Sequence, residues 1–121
     1  MEDFYSVKQI QTREGGFAAY VVLNVAHRIY AAHFPGNPVT PGVCLLQMNK
    51  ELLEMVCGVK LRMTGAKNIK FLRAINPLQY AEVVFSVNFN IEGRTVTATS
   101  TIGCGEDIFV KISAGYEMTD E

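Results

Sequence analysis

The chain has 121 residues, 49% of them hydrophobic, and a formal net charge of −1. That length fits one domain, 1–121, with a core of its own, and the near-neutral balance gives no footprint for nucleic acid or a membrane surface. No apolar run approaches the ~18 residues of a membrane span, and the N-terminal MEDFYSVKQIQ lacks the apolar stretch of a signal peptide. The three cysteines, Cys44, Cys57 and Cys104, are odd in number and lack metal-ligand spacing. They are expected to be buried, reduced thiols of a cytoplasmic protein, with no metal and no cofactor.

Phe4 to Gln11 alternates loosely, and Gly15-Gly16 signals a hairpin. Phe17 to Val25 (FAAYVVLNV) is β-rich and mostly apolar, as in a strand covered on both faces. His27 to Ala32 leads into a loop. A helix is expected from Pro41 to about Val56, with Thr40 as N-cap, Pro41 as first helical residue and Cys57-Gly58 as its stop. It is apolar at Val43, Cys44, Leu45, Leu46, Met48, Leu52, Leu53, Met55 and Val56, so protein is expected on nearly all sides of it. Gln47, Lys50, Glu51 and Glu54 form one polar stripe. Beyond the helix the chain reads as strand to its end. Val83, Phe85, Val87 and Phe89 alternate with polar residues. Thr95, Thr97, Thr99 and Thr101 share one face of Arg94 to Ile102. Ile108, Val110, Ile112 and Ala114 are expected on the core side of a last strand. Strands, one helix, then antiparallel strands make an α+β chain in which a sheet curls about the helix.

The stretch His33 to Gln47, HFPGNPVTPGVCLLQ, holds three of the four prolines and one of the two histidines. Prolines fix φ and remove backbone donors, and glycines permit turns and close approach. A rigid loop therefore presents His33 beside the start of a helix. His33 is either a base, with an ordinary pKa near ~6.5, or a structural histidine bonded to loop carbonyls.

The string H-F-P-G-x-P-x-x-P-G-V before an apolar helix resembles the 3-hydroxyacyl-acyl carrier protein dehydratases of fatty acid synthesis. The match is dense over Ala32 to Leu53. It continues weakly through KNIKFLRAINPLQY, Lys67 to Tyr80. The resemblance implies a hot-dog fold, a curved antiparallel sheet around one long central helix, with subunits paired at least as a homodimer and up to a trimer of dimers. It implies a lyase that converts 3-hydroxyacyl thioesters on acyl carrier protein to 2-enoyl thioesters. By the same resemblance His33 removes the C2 proton, and the backbone N–H of Gly42 receives the thioester oxyanion. Phe34, Pro41 and Val43 line the substrate site.

The sequence departs from that pattern at one position. Fourteen residues after the histidine the family carries Glu or Asp, facing the neighbouring subunit's histidine, and here the residue is Gln47. An amide donates a hydrogen bond but delivers no proton. Loss of a general acid typically costs about 10²–10⁴-fold. Three readings stay open. Gln47 binds substrate or water; Glu51 supplies the acid from one turn along; or the chain forms a heterodimer with an acid-bearing homologue. A non-catalytic subunit that binds acyl thioesters and a thioesterase on the same fold are the alternatives. His27 reads as structural. Lys60, Arg62, Lys67, Lys70 and Arg73 form a basic stretch with no acid from Val59 to Ala81. They are either a docking rim for the acidic carrier protein and its phosphopantetheine phosphate or ordinary solvated strand faces. No interleaved exposed aromatics point to nucleic acid.

Overall fold

A computed structural model of the chain describes residues 3–32 and 36–120. Eight elements follow one another: β1 (Tyr5–Arg13), β2 (Gly16–Leu23), α1 (Arg28–Ala32), α2 (Gly42–Cys57), β3 (Lys60–Phe71), β4 (Glu82–Glu92), β5 (Thr95–Cys104) and β6 (Asp107–Thr119). The strands form one antiparallel six-stranded sheet in the order β1-β2-β4-β5-β6-β3. Glu14-Gly15 closes the first hairpin, with Arg13 opposite Gly16 and Gly15 at a left-handed φ of 71° that glycine tolerates.

The period-two pattern decides which face of the sheet is inside. Phe17, Ala19, Val21 and Leu23 on β2, Val83, Phe85 and Val87 on β4, and Val96, Ala98, Ser100 and Ile102 on β5 are buried. Their neighbours along each strand, Thr95, Thr97 and Thr99 among them, face outward. Against the inner face lies α2, which buries Cys44, Leu45, Met48, Asn49, Leu52 and Leu53.

Hydrogen bonds at its two edges report the shape of the sheet. Laid flat, six strands would hold β1 and β3 about 24 Å apart. Yet Tyr5 of β1 donates to Glu51 at 2.8 Å, and the Leu61 amide of β3 donates to Glu54 at 2.8 Å. Both edges thus reach the same helix, so the sheet is curled around it. This is the hot-dog arrangement.

Three expectations are corrected. The one long central helix is a helix of 16 residues, about four and a half turns, preceded by the separate five-residue α1. It is not wrapped on nearly all sides by its own chain, since Val43 is 74% and Met55 55% exposed. Ile108 does not face the core. A register shift between Ile102 and Gly103 pairs Ile102 with Val110 and Gly103 with Ile108, leaving Phe109 as an extra residue. That bulge breaks the alternation, buries both Phe109 and Val110, and turns Ile108 outward.

Candidate functional site

Residues 30 to 40 bring the loop to the helix. Tyr30 on α1 stacks on Phe4 and shares a buried 3.0 Å hydrogen bond with the Thr40 hydroxyl. Thr40 N–H donates to the Ile75 carbonyl at 2.9 Å. Both ends of the Pro-Gly segment are therefore anchored in the core. His33 and Phe34 lie outside the described residues. His27 is engaged elsewhere among the described residues. Its Nδ1 accepts the Ile29 N–H at 3.1 Å, capping α1, and its ring packs edge-on against Phe4. The structural reading of His27 is the one its contacts support.

The start of α2 differs from the expected cap. Pro41, in an extended conformation, is the N-cap, and no side chain caps the helix. Thr40 cannot do so because its hydroxyl is turned into the core toward Tyr30. The Cys44 and Leu45 amides bond back to the Pro41 carbonyl at 3.0 and 3.3 Å. The Gly42 and Val43 N–H groups have no acceptor among the described residues, and they stand at the positive end of the helix dipole. Gly42 has no left-handed φ. Its small size serves a close approach instead, because a Cβ there would lie 2.7 Å from Cζ of Phe71. The Phe71 ring, 55% exposed, roofs the helix start. An open groove of about 360 Å³ runs past it, lined by Thr40, Gly42, Leu45, Phe71 and Leu72 among others. Pro41 borders this turn, and Val43 projects outward from it.

One turn further along, Gln47 lines a second open groove of about 490 Å³ with Val43, Leu46, Leu61, Arg62 and Met63. Its Nε2 donates to Glu51 Oε2 at 2.8 Å, and Tyr5 Oη donates to Glu51 Oε1 at 2.8 Å. Burial acts to raise the Glu51 carboxyl, but hydrogen bonding, with Gln47 and Tyr5 foremost, together with nearby positive charge outweighs it and holds the group below the ordinary carboxylate range. Burial, followed by the bond to Glu51, pushes the Tyr5 phenol well above its usual value. Tyr5 is thus a fixed donor and Glu51 a fixed acceptor. An ionised carboxylate held by such donors is poorly suited to deliver a proton.

Three of the basic residues, Lys60, Lys67 and Lys70, are exposed with no ion-pair partner among the described residues. Arg62 pairs with Glu117 at 3.0 Å. Arg73 pairs with Asp107 at 3.0 Å and lies over the Tyr80 and Phe109 rings. Of the three thiols expected to be buried only Cys44 is, Cys57 and Cys104 being half-buried; burial raises the Cys44 and Cys57 thiols, which suits inert groups. A larger groove, about 520 Å³, lies on the outer face of the sheet among Asn88, Asn90, Thr97, Thr99 and Ser113. It is open, and its lining includes none of the residues of α2.

Sequence reasoning missed Tyr5, Phe71 and Asn49. Tyr5 and Phe71 act across the fold, with no local signal. Asn49, polar within an otherwise apolar helix face, was a signal in plain view. It is 1% exposed, its Nδ2 donates to Tyr116 Oη at 3.4 Å, and its Oδ1 has no partner.

The sequence matches the ApeI-like family, described as ApeI dehydratase, over residues 9–101. No curated protein matches the chain. Among solved structures it is similar to the dehydratase heterocomplex ApeI:P from Xenorhabdus doucetiae, with a TM-score of 0.69 at 11% identity over 93% of this chain and 96% of that one. A hypothetical thioesterase with coenzyme A from Streptococcus pneumoniae gives a TM-score of 0.64 at 16% identity, covering 95% of this chain and 85% of the other. An uncharacterised protein from Erwinia carotovora gives 0.60 at 19% identity, covering 94% and 92%. At these identities the structural likeness shows the fold alone.

Proposed function

Because the chain belongs to the ApeI-like dehydratase family, we propose that it removes water from 3-hydroxyacyl thioesters carried on acyl carrier protein, giving 2-enoyl thioesters. The observation that carries this reading is the uncapped start of α2, where the Gly42 and Val43 amides lie beneath Phe71. A thioester oxygen hydrogen-bonded there gains negative charge as the C2 proton leaves. Such a donor, already in place, is worth on the order of 10²–10³ in rate. His33 takes the C2 proton. The 3-hydroxyl departs with a proton, so water is lost and the C2–C3 double bond forms. Where His33 itself returns that proton, the imidazole is restored and no further acid is needed. Phe34, Pro41 and Val43 border the acyl group. Lys60, Lys67 and Lys70 offer their charge to the acidic carrier, whereas Arg62 and Arg73 are engaged in ion pairs.

A second reading is favoured by one specific observation. Gln47 carries no proton to give, and the neighbouring Glu51 is held as a carboxylate. In a shared site the acid would then come from a different subunit, and the chain would complete a heterodimer with an acid-bearing homologue. The similarity to a dehydratase heterocomplex supports this reading.

Mass spectrometry of a 3-hydroxyacyl-acyl carrier protein incubated with the purified protein tests both, with His33→Ala as control. Loss of water that disappears in the variant is the expected result for a dehydratase acting alone. Carrier binding without water loss favours the half-site reading. Release of free carrier thiol would instead identify a thioesterase and remove the dehydratase assignment.

A further inference from the structure

A side-chain amide is nearly symmetric in shape, and its orientation is settled by what its two ends face. At Gln47 one end faces Glu51 Oε2 at 2.8 Å. That carboxylate oxygen accepts and does not donate, because Tyr5 Oη holds the other oxygen at 2.8 Å. A flipped amide would set two acceptor oxygens against each other. The Gln47 NH₂ therefore belongs on the Glu51 side, one turn toward the C-terminus of α2. Its Oε1 is thereby turned away from Glu51, in the groove that Gln47 lines with Val43, Leu46 and Met63, and no described residue donates to it.

We propose that Tyr5 and Glu51 are positioning residues that lock the Gln47 amide with Oε1 facing the acyl group, so that the site selects a hydroxyl donor at C3. The inference rests on the acyl-thioester reading above and deepens it. Residue 47 then works as a recognition group in place of an acid. It accepts the hydrogen bond of the 3-hydroxyl and aims the carbon–oxygen bond that must break. A 3-keto or saturated acyl group offers no donor, so it leaves Oε1 unpaired. The relay crosses the fold, from the edge strand β1 through Glu51 to the helix face, which explains why Tyr5 contributes to a site it does not line.

The test compares two ligands that cannot react, the pantetheine amides of 3-hydroxyoctanoic acid and of octanoic acid, titrated into the ¹⁵N-labelled protein by NMR. Wild type is expected to prefer the hydroxylated amide by about 3- to 10-fold, the usual scale of one net hydrogen bond. Glu51→Gln gives residue 51 an end that pairs with either orientation of Gln47, so the preference should vanish while octanoyl binding persists. Tyr5→Phe, a smaller change at a half-buried position, should reduce it part-way. A general loosening of the fold would weaken both ligands equally and leave the ratio unchanged. If wild type binds the two equally, or Glu51→Gln keeps the full preference, the positioning role is overturned while the acyl-binding site stands. If wild type binds neither amide, the acyl-thioester reading fails and this inference fails with it.

Discussion

One exchangeable proton separates an amide from a carboxyl group, and at Gln47 that proton decides how the leaving hydroxyl can depart. Gln47→Glu would place a second carboxyl against Glu51, and like charges at such range raise the pKa of one of the pair. The variant should therefore keep a proton on its helix face to higher pH than a lone glutamate would. Its dehydration rate is expected to rise by up to about 10²-fold, most at acid pH and fading as pH increases through the raised pKa. Initial rates across pH check this, and an unchanged rate would mean that the proton arrives by another route. Glu51 also carries a stability signature. Its folded-state pKa is lowered, so its contribution is present above the ordinary carboxylate value and is lost as pH falls through the lower folded one. Tyr5→Phe removes one of the bonds responsible. It should flatten the acid limb of the melting temperature below about pH 4, as followed by circular dichroism. In the core, Tyr116→Phe alone leaves Asn49 with neither of its polar atoms paired and should cost about 1–3 kcal/mol. Tyr116→Phe with Asn49→Leu should recover that loss, because both partners are then apolar; denaturant titration gives the comparison. None of these partnerships could be read along the chain. Tyr5 and Glu51 stand 46 positions apart in the chain, and a sequence pattern carries only local spacing.

Elements were far more legible than the contacts between them. Gly15-Gly16 marked the first hairpin, and the alternation of Val83, Phe85 and Val87 marked β4, because the period of a strand imprints itself on its residues. The bulge opposite Gly103 erased that imprint locally and misplaced Ile108. The helix start was placed within a residue, but its cap was assigned to Thr40, whose hydroxyl the buried Tyr30 takes instead. Tyr30→Phe should leave that hydroxyl unpaired and cost about 1–2 kcal/mol, measurable by chemical denaturation. The meeting of α2 with the end of β3 yields a sharper prediction. Gly42→Ala sets a methyl group into the place of the Phe71 ring, which is exposed and free to swing aside. The fold should survive with an unchanged circular dichroism spectrum. The turnover rate should nevertheless fall by about 10²-fold, since a displaced roof no longer holds the thioester against the amides. An equally large fall in stability would reduce Gly42 to a packing role.

At the scale of the whole molecule, a sheet curled about one helix still leaves two free edges and a helix end bare. The composition foretold a core, but an apolar residue is the same letter whether its own chain or another copy covers it. Val43, counted in the sequence as part of a wrapped helix, is mostly exposed, beside Leu46 and Met63. Val43→Lys is expected to keep the fold and shift the sedimentation profile toward smaller species. An unchanged profile would place the assembly surface elsewhere. The order of the strands has one more consequence. Among the described residues the edge strand β3 pairs in the sheet only with β6, Phe71 opposite Val110 and Lys60 opposite Thr119, and β4 and β5 both lie between the two in the sequence. On a ribosome β3 emerges directly after the helix, yet the strand that fastens it is the last of the six to be translated. A nascent chain of this protein therefore carries the helix with one flank uncovered until β6 has been made, and that interval is when a chaperone or a second subunit would find it most receptive.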